Sequence, residues 1–159
     1  MRGIAKSFLV AIVVAASIMV FTNLVFFFPW YMTLVIETFN LSQVAAGDNY
    51  IKQSYYDDAL ERLKDRPIYR DNKDQIEIEV LNEDDKSARG VDDETTYANA
   101  AENEKPYRQR GEPVKVTISA VYPLSVRLWG QEIRKEIPVS FSLTSAGLKH
   151  YKDLEYYFD

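Results

Sequence analysis

Cysteine is absent from the 159 residues. That absence removes disulfides, thiolate zinc sites, iron–sulfur clusters and a cysteine nucleophile. Histidine occurs once, at His150, so any Ser-His-Asp arrangement has to use it. No nucleophile elbow surrounds it, and a surface position near the C-terminus is its expected role. Glycine and proline number six each, and the glycines form neither a phosphate-cradling loop nor a dinucleotide fingerprint. No catalytic residue, metal ligand set or cofactor is expected, and an enzyme is the disfavoured class.

Charge is missing from one continuous stretch. Ser7 to Ile36 contains no Asp, Glu, Lys, Arg or His, and all 24 acids follow it. Of the 19 bases, only Arg2 and Lys6 precede it, so residues 37–159 carry 17 bases against 24 acids, a net charge of −7. Such a balance disfavours nucleic acid, whose phosphates call for Lys and Arg. The uncharged run, Phe8 to Phe28 above all, suits a membrane-spanning helix, which needs about 20 apolar residues to cross ~30 Å of hydrocarbon. Val14-Ala15-Ala16-Ser17 has the look of a signal-peptidase site, but a cut there leaves Ile18 to Ile36 as an insoluble tail, so retention as an anchor is expected. Arg2 and Lys6 on one side, and Glu37 and Asp48 on the other, place the N-terminus in the cytoplasm and residues 37–159 outside by the positive-inside rule. Phe26, Phe27, Phe28, Trp30 and Tyr31 fall where the helix leaves the lipid and read as an aromatic belt.

Within the span, Ser7, Ala11 and Ala15 are small residues spaced four apart, a face on which another helix can approach closely. Asn23 puts an amide in the bilayer that seeks a partner. Pro29 removes one backbone donor and is expected to kink or loosen the helix. These five, Ser7, Ala11, Ala15, Asn23 and Pro29, are the candidate packing residues. An ordinary anchor with tolerated polar residues is the plainer alternative.

Beyond the span, Leu41, Val44, Ile51, Tyr55, Ala59 and Leu63 recur at helical spacing, and Asp58 and Arg62 form an exposed i,i+4 pair. One helix over 37–66, bent at Pro29 and Gly47 and stopped by Pro67, is the expectation. A break at Gly47-Asp48-Asn49 is the alternative. The period then changes to two. Strands are predicted at about 75–81 (Ile76, Ile78, Val80), 113–122 (Val114, Val116, Ile118, Ala120) and 136–145 (Ile137, Val139, Phe141, Leu143). Each has one apolar face and one polar face, as in an antiparallel sheet covered on one side. Residues 124–129 also alternate, which admits an extension of the second strand past Pro123, and Trp129-Gly130-Gln131 suits a turn before the third. Residues 82–110 read as a long solvated loop. Its acidic groups, Glu83-Asp84-Asp85 and Asp92-Asp93-Glu94, lack the spaced order of a calcium loop. The Tyr-rich end, 147–159, suits a short helix or a frayed strand. The fold class is therefore α+β, with a transmembrane helix over 1–36 and an extracytoplasmic domain over 37–159.

The order of basic N-terminus, apolar helix, amphipathic extension and antiparallel sheet resembles the type IV pilin-like proteins, and more narrowly the TadE-like pseudopilins. The resemblance rests on Met1-Arg2-Gly3 before the span, on Gly111-Glu112-Pro113-Val114-Lys115-Val116-Thr117-Ile118-Ser119 with Pro123-Leu124, and on the last strand. It implies cleavage by a prepilin peptidase after Gly3, leaving Ile4 at the new end. It also implies assembly of a filament, or of a secretion or conjugation apparatus, through the apolar helix, by self-association or with other pilin-like subunits. At the fifth mature position, where many pilins carry glutamate, this chain has Phe8. A single-pass accessory protein of an envelope complex is the other function the sequence admits.

Overall fold

The computed structural model describes residues 2–90, 101, 110–128 and 131–148. His150, the Asp92-Asp93-Glu94 group, the Trp129-Gly130 turn and the Tyr-rich residues 149–159 lie outside the described residues. The elements are α1 (Arg2–Asp48), β1 (Ile51–Lys52), α2 (Gln53–Asp65), a 3-10 segment (Pro67–Gln75), β2 (Glu77–Asn82), β3 (Arg89–Gly90), β4 (Pro113–Leu128) and β5 (Gln131–Ala146). The α+β class expected from the two periodicities is what the structure has.

β2, β4 and β5 form an antiparallel sheet in the order β2-β4-β5. Ile78 pairs with Ile118 and Ile118 with Phe141, so the three apolar faces coincide and α1 lies across them. Ile78, Val80, Val114, Val116, Ile118, Ala120 and Tyr122 are buried from the sheet side, and Trp30, Leu34, Leu41 and Ala45 from the helix side. Burying each large side chain contributes roughly 1.5–3 kcal/mol. β2 pairs with β4 only from Val114 to Ser119. Pro113 and Pro123 both fall outside that stretch, where β4 has a free edge and a missing N–H costs no ladder bond.

Three expectations need correction. The single helix over 37–66 is two, as in the alternative with a break at Gly47-Asp48-Asn49: α1 ends at Asp48 and α2 begins at Gln53. The break comes not from Gly47, which stays helical, but from Asn49, whose φ of 63° is left-handed and stops the helix. Asn49 is buried beneath Gly147, where a Cβ would lie 2.6 Å from the Asn49 amide oxygen. The two hairpin strands outrun the predicted 113–122 and 136–145, reaching Leu128 and starting at Gln131. The first part of the predicted loop is ordered against the body. Asn82 Oδ1 accepts the N–H groups of Asp84 and Lys86 to form a turn, Ala88 is fully buried, and β3 pairs in parallel with β1.

Candidate functional site

The surface that sets this molecule apart is α1 itself. Its first half stands clear of the sheet. Ile4, Phe8, Leu9, Val10, Ile12, Val13, Val14, Ile18, Val20, Phe21 and Leu24 are all exposed, Phe8 to 70%. At 1.5 Å per residue, positions 3–26 extend about 36 Å, and this one helix is long and apolar enough to cross a membrane. Polar side chains in it are satisfied locally. The hydroxyls of Ser7, Ser17 and Thr22 donate to the carbonyls of Gly3, Val13 and Ile18, and Asn23 Nδ2 donates to the Met19 carbonyl. Such i−4 bonds let an apolar helix carry polar groups without exposing unpaired donors.

Of the candidate packing residues, Ser7, Ala11, Ala15 and Pro29 lie on exposed helix surface, as do the suspected processing residues Gly3 and Ile4. Asn23 is half-buried, and its carbonyl accepts the Tyr122 hydroxyl of β4 at 3.2 Å. The helix runs through Pro29, with the Thr33 hydroxyl bonded to the Pro29 carbonyl.

The predicted aromatic belt divides into two sets. Phe26 and Phe28 are exposed, but Trp30 is 2% exposed and sits between Tyr69 and Tyr122, ring centroids 5.2 Å away in each case. Phe27 meets Tyr122 edge-on at 5.1 Å, and Tyr31 meets Phe141 at 6.3 Å. These rings fix α1 to the sheet, so the packed unit takes in the helix from Phe27 onward, well before position 37. The Tyr69 hydroxyl donates to the Trp30 carbonyl. Burial pushes the phenol of Tyr69 far above its ordinary value, with the nearby Arg66 opposing the shift.

A second clamp joins α1 to the end of α2. Glu37, 3% exposed, accepts a 2.7 Å bond from Arg66 and lies 3.9 Å from Arg62. Arg62 thus reaches across to α1. The sequence marks Glu37 only as the first acid beyond the uncharged run, and nothing in its spacing signals burial. Arg66 precedes a helix-stopping proline, which is the one local hint that it caps an element.

Opposite the sheet, α1 keeps an apolar stripe along the part of the helix that packs on the domain. Phe28, Met32, Ile36 and Phe39 are exposed at helical spacing, and with no cover among the described residues they form a face available to another helix. Glu83, Asp84 and Asp85 are exposed on their turn, and among the described residues no group of three or more His, Asp or Glu converges as a metal site. Comparison with protein-family models, with curated proteins and with solved structures finds no match. The geometry alone defines the class: a long apolar helix, one end free and the other fastened to a small antiparallel sheet.

Proposed function

We propose that the chain is a structural subunit, major or minor, of a pilus-like filament or of a related secretion or conjugation apparatus, built through α1. One observation carries this reading. The exposed apolar face of α1 continues past the free half, through Phe28, Met32, Ile36 and Phe39, along the part of the helix that is already held on the sheet. An anchor needs only its free half to hold lipid, whereas a subunit packed against neighbouring helices uses an apolar stripe that runs on beside its own domain. The free half sits in the bilayer with Arg2 and Lys6 on the cytoplasmic side and the sheet domain outside. Movement of the helix from lipid into a helical bundle exchanges one apolar setting for another, so packing decides partner choice. Ser7, Ala11 and Ala15 supply the small-residue face, and Gly3-Ile4 is the processing position.

Phe8 in place of the usual glutamate favours the second reading, a single-pass accessory protein that remains in the membrane. Shearing of cells separates the two. A filament subunit appears in the sheared surface material, and Ala11→Leu with Ala15→Leu removes it from that fraction while the chain stays in the membrane. Absence of the unaltered chain from sheared material supports the accessory role instead.

A further inference from the structure

The β4–β5 hairpin extends past the point where α1 covers it. Among the described residues, Tyr122 is the last of β4 whose side chain bonds the helix, at Asn23. Beyond it the ladder continues through Leu124↔Lys135 and Val126↔Ile133. Along α1, side chains from Ile4 to Ile18 are exposed, so the outer part of the hairpin diverges from the helix instead of lying along it.

Strand alternation carries the two faces of the sheet out to this end. The face that buries Ile118, Ala120 and Tyr122 against α1 continues as Leu124, Val126, Ile133 and Lys135, and Ile133 is 57% exposed. The other face carries Ser125, Glu132, Arg134 and Glu136, with Arg134 Nε 2.9 Å from Glu132 Oε1. The outer end of the hairpin is therefore amphipathic, and its apolar side looks toward whatever surrounds the free half of α1.

The Tyr122–Asn23 bond sets the level at which the outer hairpin leaves α1. Glu136, paired with Pro123, lies one step from Tyr122 and is exposed. Its charge keeps the hydrocarbon boundary on the N-terminal side of Asn23. Counting about 20 residues back from Thr22 reaches Gly3, a full span. The headgroup layer then falls beside Asn23 and the outer hairpin.

We infer that the β4–β5 hairpin is a second membrane contact, seating Val126 and Ile133 at the headgroup–acyl boundary of the leaflet nearest the domain, with Lys135 at the phosphates. The inference rests on the anchoring of α1 proposed above. Two attachments, helix and hairpin, fix the tilt and rotation of the sheet relative to the bilayer, which one helix alone leaves free.

The absence of native cysteine allows unique labels on the full-length chain. Ile133→Cys, Thr144→Cys and Ala15→Cys, each carrying the same environment-sensitive dye, are reconstituted in phosphatidylcholine vesicles containing nitroxide lipid labelled at the headgroup or shallow acyl position for the two hairpin sites and at a deep acyl position for Ala15. The Ile133 label is expected to lose most of its emission, and the Thr144 label, at the far end of the same hairpin, to keep it. Because the dye is the same, its own attraction to lipid is subtracted by Thr144. An unquenched Ile133 label beside a quenched Ala15 label overturns the hairpin contact and leaves the anchor standing. An unquenched Ala15 label overturns both.

Discussion

Tyr69 joins the helix to the sheet domain through a single hydroxyl. Its ring packs edge-on to Trp30 and its O–H donates to the Trp30 carbonyl, both buried. Burial raises the folded-state pKa above the unfolded value of 10. The folded chain therefore holds this proton at pH values where the unfolded chain has lost it. By linkage the stabilisation is complete below pH 10 and is lost as pH rises through the folded-state value. Tyr69→Phe keeps the ring and deletes the hydroxyl, which costs about 1 kcal/mol at neutral pH. The stability gap between the parent and this variant should be constant below pH 10 and narrow above it, as read from unfolding midpoints in detergent. A gap that does not change with alkaline pH would mean that the phenol is not held in its buried bond.

Between elements, the Glu37 clamp is asymmetric. Glu37 is buried, while the side chains of Arg62 and Arg66 are 56% and 45% exposed. Removing the carboxylate leaves two arginines that water can solvate, whereas removing Arg66 takes away the 2.7 Å hydrogen bond and leaves the buried carboxylate with only Arg62, 3.9 Å away. Arg66→Ala should cost about 3 kcal/mol and Glu37→Gln only about 1 kcal/mol. With both changes together, the total should fall below the sum, the signature of coupling. Equal single costs in a double-mutant cycle would show that the pair is a surface contact. The clamp is not written in local sequence, and Gly47-Asp48-Asn49 offers the break only as an alternative, without marking Asn49 as the residue that turns left-handed. The strands were legible because alternation in Ile76–Val80, Val114–Ala120 and Ile137–Leu143 reflects one-sided burial directly. The left-handed Asn49 instead depends on Gly147 at the far end of the chain, and the burial of Glu37 depends on an arginine that follows another helix. Helical spacing continued across 49–52 because Ile51 is buried, but it is buried as part of a strand, through a bond from its N–H to the Ala88 carbonyl.

At the scale of the molecule, α1 divides its surface by purpose. One face from Phe27 to Ala46 is spent on the sheet, and the free half extends away from it. The long uncharged run made the second of these legible from sequence. The division of the aromatic cluster was not, since Trp30 and Phe28 differ only in which side of the helix they occupy. The stripe of Phe28, Met32, Ile36 and Phe39 is left uncovered by the described residues, so changing it should separate folding from the assembly proposed above. Ile36 and Phe39 are each 51% exposed and neither belongs to the buried core, so Ile36→Lys with Phe39→Lys should alter stability by only about 0.5 kcal/mol. The same pair of charges placed between packed helices must be desolvated without partners, at a cost of several kcal/mol. The expected outcome is an unchanged unfolding midpoint for the purified chain together with its loss from sheared surface material. A variant that assembles normally would show that this face stays in water, and a variant that unfolds would show that it is covered from within the chain.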